Sequence, residues 1–323
     1  PLTNDTQLVR DDDLNTTSIT GPTNETTAMT YDEAGNMLSA TAPPSLGSAQ
    51  KTFVYNARND VELVTDARGK VTDYAYNPAS GNLTSVTQDG TQVASYTYDA
   101  AGRVETFTDG NERTWTYTYF PATGYLQSAS DPLGNKTTYT YDGAGRVATR
   151  VDPKGNVAGC NCAADFTWTY TYDPAGLLLT ERNPLGHTTT NAYDDAGRLT
   201  STTDPLGRTT SYTYDEGNHV LSETAPDPDG PGPLIAPVTA HTYDSVGNEL
   251  TETDPRGNTT TFAYDGANRL TSTTEPDPDG AGPQAAPVTT DTYDPNGNLV
   301  STVEPRGNVQ GASPDDFRTT FTY

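Results

Sequence analysis

Short runs of alternating apolar and polar residues recur along the chain, and each ends on a tyrosine. In Thr114-Trp115-Thr116-Tyr117-Thr118-Tyr119 the rings fall on one side of an extended segment and the threonines on the other. This period-two pattern is the mark of a strand with one shielded face. Thirteen tyrosines close such runs, at Tyr31, Tyr55, Tyr76, Tyr98, Tyr119, Tyr141, Tyr172, Tyr193, Tyr214, Tyr243, Tyr264, Tyr293 and Tyr323. They lie 21 to 24 residues apart, or 29 to 31 where an insert intervenes. A fixed period in this range means stacked supersecondary units that bury their apolar faces only against neighbours.

After the tyrosine comes a turn. Asp99-Ala-Ala-Gly102, Asp142-Gly-Ala-Gly145, Asp194-Asp-Ala-Gly197 and Asp265-Gly-Ala-Asn268 pair a carboxylate that accepts turn N–H groups with a residue tolerant of positive φ. An apolar residue then opens a return strand, at Val61, Leu83, Val104, Leu126, Val147, Leu178, Leu199, Val220, Leu250, Leu270 and Leu299. That strand ends in a second reversal, as in Asp131-Pro-Leu-Gly134, Asp204-Pro-Leu-Gly207 and Asp254-Pro-Arg-Gly257, with the residues of a type I turn. Each unit therefore reads as a hairpin, and residues 1–323 as one continuous antiparallel array with no helical periodicity of useful length.

Two residues before the anchor stand Phe53, Tyr74, Tyr96, Tyr117, Tyr139, Tyr170, Tyr212, Phe262 and Phe321, so that ring pairs are expected to stack from unit to unit. Met29, Asn191, His241 and Asp291 depart from this and predict weaker packing or altered loops. Long inserts are expected near 155–166, 226–238, 276–288 and 307–317. The second and third match each other, each ending in Ala-Pro-Val, and the first and fourth are also related.

Composition narrows the classes. Only 32% of residues are hydrophobic, too few for a thick core. Evenly spaced rings and turns argue against disorder. A net charge of −25, spread along the chain, excludes a phosphate-backbone binder and discourages approach to anionic membranes. No stretch is long and apolar enough to span a bilayer. The chain opens on Pro1 and stops at Tyr323, where most units continue with Asp, as expected of an excerpt from a longer protein. Cys160-Asn161-Cys162 is no disulfide framework; such a pair can ligate a metal or close a small-ring disulfide, and the preferred reading is two loop thiols.

Tyr-Asp-x-x-Gly-Arg-Leu/Val followed by Asp-Pro-x-Gly-Asn/Arg resembles the YD-repeat, or Rhs repeat, family over essentially the whole chain. The resemblance implies an all-β sheet of hairpins coiled into a spiral, solenoid-like array or hollow shell, as in bacterial polymorphic toxins, insecticidal toxin complexes and teneurin adhesion proteins. It also implies that toxin shells end in a self-cleaving aspartyl core marked Asp-Pro-x-Gly-Leu. Here Asp131-Pro-Leu-Gly134 and Asp204-Pro-Leu-Gly207 lack the following Leu and recur as turns, so self-cleavage is not assigned.

No catalytic or cofactor-binding residue emerges. The acid after each tyrosine recurs too often to be anything but a turn requirement, and is expected to pair with Arg103, Arg146, Arg198 and Arg269 of neighbouring units. His187, His219 and His241 sit in different units, with no nucleophile beside them. Asp227, Asp229, Asp277 and Asp279 resemble a fragment of a calcium loop without its full ligand spacing, so no metal is assigned and calcium stays the one candidate ion. Asn4, Asn15, Asn24, Asn82 and Asn258 begin glycosylation triplets. The chain is thus expected to be a non-enzymatic structural segment of a large secreted or cell-surface bacterial protein, building an extracellular fibre or surface scaffold. The alternatives are the wall of an Rhs-type shell around a toxin, or an adhesin segment that binds glycans or a receptor through Trp115, Trp168 and exposed tyrosines. Its partners would be neighbouring repeats or further copies.

Overall fold

The computed structural model describes residues 6–21, 25–230, 232–280, 282 and 284–322. Twenty-seven strands form among them, with five short 3-10 turns and no α-helix. The chain divides into two compact units, Pro1–Thr167 and Trp168–Tyr323. Within each, a strand pairs antiparallel with the one that follows it in sequence, so the expected meander of hairpins is what forms.

Alternation fixes the faces. In Thr114–Tyr119 the three threonines are exposed while Trp115, Tyr117 and Tyr119 are half-buried. Across the threonine face, hydroxyls bond in pairs, such as Thr97 with Thr106 at 2.7 Å, Thr108 with Thr114 at 2.8 Å and Thr118 with Ser128 at 2.7 Å. Such cross-strand pairs contribute roughly 0.2–1 kcal/mol each. No thick core exists: among the described residues the buried apolar side chains are Met29 and Val303.

Inside a hairpin the ladder runs to the tyrosine, with a bulge just before it. Thr97 faces Thr106 but Tyr98 faces Val104, leaving Glu105 as the extra residue. Between hairpins the ladder is shorter. The pairs Ser128↔Thr138, Ala129↔Thr137 and Ser130↔Lys136 complete one such seam. Where the seam stops, the anchor takes over. The Tyr119 hydroxyl donates to the Val104 carbonyl at 2.8 Å, Tyr141 to Leu126 at 2.9 Å and Tyr214 to Leu199 at 2.7 Å. Tyr31, Tyr55, Tyr76, Tyr98, Tyr193, Tyr243 and Tyr293 do the same to the residue that opens the preceding return strand. The inserts at 226–238 and 276–288 stretch the sequence separation of this latch from 15 to 23 residues without breaking it.

The turns are built as the sequence implies. Asp142 Oδ1 accepts the N–H groups of Ala144 and Arg146 at 2.9 and 3.0 Å, and Gly145 takes φ +82°. One expectation needs correction. The arginine that pairs with the acid belongs to the same turn, not to a neighbouring unit: Arg146 Nε donates to Asp142 Oδ2 at 2.7 Å, as Arg103 does to Asp99, Arg198 to Asp194 and Arg269 to Asp265. What reaches the next unit is the rest of the guanidinium. Arg103, Arg198 and Arg269 lie 4.6, 4.9 and 4.8 Å over the rings of Tyr119, Tyr214 and Tyr293. His219 substitutes for arginine in its unit, bonding Asp215 at 2.9 Å and stacking on Tyr243 at 4.8 Å.

The expected column of ring on ring is also corrected. Residues two before successive anchors lie two strands apart, about 9.6 Å, too far for contact. Between them stands a return-strand residue: Phe53 faces Val64, Tyr74 faces Val86 and Tyr117 faces Ala129. Along this row rings meet where that residue is itself aromatic, as in Tyr96, Phe107 and Trp115, spaced 5.3 Å apart; elsewhere turn residues bring rings together, Phe120 and Tyr125 lying 6.3 and 4.9 Å from the anchor Tyr141. The departing positions were expected to mark weaker packing or altered loops, and His241 and Asp291 do stand on the strands that follow the two matched long inserts. Met29 is buried, and Asn191 and Asp291 accept hydrogen bonds from Thr202 and Thr302 at 3.0 and 2.6 Å.

The two related inserts fold alike against the threonine face. Asn156 Nδ2 donates to the carbonyls of Lys136, Val151 and Asp152, and Asn308 Nδ2 to those of Val288, Val303 and Glu304. Gly155 and Gly307 are buried beneath Phe166 and Phe317, where a Cβ would collide with Val151 and Val303. Cys160 and Cys162 are joined as a disulfide, correcting the two free thiols expected. A further hairpin, Gln7–Arg10 with Thr16–Thr20, has the same bulged register with Arg10 in the anchor's place. The anchor Tyr323 lies outside the described residues.

Two outcomes follow. Tyr119→Phe should lower unfolding free energy by about 1 kcal/mol, since it strands a seam carbonyl, whereas Tyr117→Phe, whose hydroxyl has no hydrogen bond among the described residues, should leave it unchanged; chemical denaturation of both variants checks this. Hydrogen bonds from turn arginines and amides hold the carboxyls of Asp99, Asp142, Asp194 and Asp265 below their ordinary value of 3.8. Their stabilisation is complete above that value and is lost as pH falls through the lower folded values. Melting temperature should stay level from pH 7 to 5 and drop below about pH 4, with Asp142→Ala flattening part of the drop; a rise in acid, from relief of the chain's excess negative charge, would contradict it.

Candidate functional site

The ring-bearing face carries the departures from the repeat that bring ionisable groups together. In the first unit the return-strand residues that face the position two before the anchor are Ala40, Val64, Val86, Phe107, Ala129 and Arg150. In the second they are Glu181, Thr202, Glu223, Glu252, Thr273 and Thr302. These positions are mainly apolar in the first unit and all polar in the second. Within the first unit, Tyr96, Val104, Phe107, Tyr117 and Tyr119 line an open groove of about 360 Å³. Trp115 continues this row and is itself covered by Arg113, 5.9 Å over its ring.

The Tyr243 hairpin is the most unusual. Pairing puts Glu249, not Leu250, opposite the anchor. Every other described return strand that faces a tyrosine anchor opens there with Val, Leu or Met. The expectation that Leu250 opens the shielded return strand is therefore corrected: it occupies the bulge and is 37% exposed. The substitution is matched across the hairpin by His241, which stands where most units have an aromatic ring. His241 Nδ1 lies 2.6 Å from Glu249 Oε1, and Glu252 is directly opposite His241 in the ladder. One ligand atom from each of the three falls within 4.8 Å of the others. Among the described residues no other three His, Cys, Asp or Glu gather so closely. Burial first, and then the Glu249 charge, push the hydroxyls of Tyr243 and Tyr264 up from their ordinary value. An imidazole beside two carboxylates can hold a proton between them or a divalent cation.

The candidates named from sequence occupy other places. Asp227 and Asp229 sit in an exposed loop, where Asp227 Oδ1 accepts the Asp229 N–H at 3.1 Å and Asp229 Oδ2 that of Leu234 at 3.3 Å. Asp277 and Asp279 repeat this arrangement with Gln284. His187, His219 and His241 remain in separate hairpins, and Trp168 is half-buried at the start of its strand. Asn258 donates to Asp254 within its turn; Asn4 and Asn24 lie outside the described residues. The repeat pattern alone points to Leu250 and hides the trio at His241, because the bulge shifts the shielded position by one residue to Glu249. Two departures from the repeat in one hairpin were the signal.

The chain resembles solved toxin-complex structures. It superposes on a TcdB2-TccC3-Cdc42 crystal structure with a TM-score of 0.61 and 17% identity, over 98% of this chain and 18% of that one. On the Photorhabdus luminescens Tc holotoxin pore the values are 0.54 and 16%, over 95% and 20%. The likeness is one of fold, and this chain spans about a fifth of the length of each. No curated protein matches the sequence. The RHS Repeat family matches residues 10–43, 55–88, 78–111, 121–157, 193–229 and 243–280, well over half the chain. With its hairpins, anchors and turns in the register just described, the chain belongs to the RHS repeat family.

Proposed function

We propose that this chain is a structural, non-enzymatic stretch of wall in a large secreted or cell-surface bacterial protein, and that the wall encloses a hollow shell. The observation that carries the reading is the repetition of one latch and one turn through hairpin after hairpin, a design that extends a sheet rather than converging on a reaction centre. The likeness of fold to toxin-complex chains over nearly the whole length supports a shell ahead of a fibre. Association with further repeats or subunits belongs to the same reading. Among the described residues no helix is long and apolar enough to cross a membrane.

A fibre or surface scaffold is the second reading. It draws on the same repetition, since hairpins latched in series extend an open sheet as readily as a closed one. An adhesin role would use the open Tyr96, Phe107 and Trp115 row as a stacking surface. Electron microscopy of the intact parent protein separates these readings: closed hollow particles are expected, continuous filaments would favour the scaffold, and compact solid particles would contradict both.

A further inference from the structure

We propose that the Tyr243 hairpin binds a divalent first-row metal ion, with Zn²⁺ the best fit, between the imidazole of His241 and the carboxylates of Glu249 and Glu252. Three features on one hairpin converge on this. The ladder sets His241 directly opposite Glu252, and the bulge turns Glu249 toward the same face, so strands rather than mobile loops present all three groups. Their ligand atoms already lie within 4.8 Å of one another. Ligands sharing a tetrahedral ion at about 2.0–2.1 Å stand roughly 3.3 Å apart, a contraction that side-chain rotation supplies. No lysine or arginine ion pair involves either carboxylate among the described residues, and Glu252 is open to solvent, so the contact that an arriving cation replaces is the 2.6 Å bond between His241 and Glu249.

Comparison with the other hairpins separates this from ordinary sheet polarity. Glu181 and Glu223 occupy the row of Glu252 opposite Tyr170 and Tyr212, so an acid there is a regular feature of the second unit. His241 and Glu249 are not. Each replaces a ring or an aliphatic side chain, and together they turn a lone acid into a three-point donor set. One nitrogen and two oxygens suit Zn²⁺ and its first-row neighbours, whereas Ca²⁺ takes six to eight oxygens. Three protein ligands leave a fourth position for water. The site rests on the hairpin alone and stands whether the sheet walls a shell or a fibre.

The test uses the full chain, stripped with chelator and titrated calorimetrically with ZnCl₂, with CaCl₂ in parallel. Glu249→Leu and His241→Tyr restore residues that other hairpins carry at those positions, so both variants should fold and, without metal, melt no lower than the parent. The parent is expected to take up one Zn²⁺ per chain and melt higher with it, ignoring Ca²⁺; each variant, and Glu252→Gln, should bind about tenfold more weakly or worse. Absence of Zn²⁺ uptake by the parent overturns the proposal. So does uptake of equal affinity by Glu249→Leu and His241→Tyr, which would assign the ion to His187, His219 or exposed acids elsewhere.

Discussion

A β-sheet assembled from separate hairpins is weakest where one hairpin meets the next. Here that junction has three paired residues, as at Thr106–Thr108 against Thr114–Thr116, and then the strands part toward the turn. The carbonyl of the residue opening each return strand would be left to water at that point. At ten of the described anchors the tyrosine closes it: its ring lies on the shielded face and its hydroxyl reaches back across the junction to the orphaned oxygen. A phenylalanine would fill the same volume and leave the oxygen unpaired, which is the physical reason that this position is tyrosine in unit after unit.

The turn residues complete the same joint from the other side. A carboxylate locks the turn by accepting its amides, the arginine four residues on neutralises that charge, and the guanidinium face covers the next anchor. Asparagine in place of arginine keeps part of this, as when Asn248 bonds both Asp244 and Asn268 of the following turn. Histidine at 219 keeps nearly all of it. A sheet with almost no buried apolar side chains is thus secured by many small polar closures, each near the surface and each repeated.

Most of this was legible from the period of the tyrosines and the Asp-x-x-Gly turns, because strand alternation and turn chemistry are local. What escaped depends on register across strands. The hairpin at Gln7–Arg10 lacks the tyrosine that marks the others, although its Asp11 turn obeys the same rule. Glu249 was passed over for Leu250, since one residue of shift exchanges the shielded face for the bulge. Ring pairs were expected to stack from one repeat to the next, but the return strand intervenes, and Phe107 is what bridges the gap between Tyr96 and Trp115. The pairing of Cys160 with Cys162 depends on how the insert closes on itself, which its spacing alone did not reveal.

If the anchors hold junctions and nothing else, their loss has a definite address. Amide hydrogen exchange on the full chain carrying Tyr214→Phe tests this most directly. The account predicts faster exchange at the junction of Leu199–Thr203 with Thr209–Tyr214, and unchanged protection inside the hairpin that Thr209–Tyr214 forms with Val220–Thr224. Uniform acceleration through both, or none in either, would contradict it.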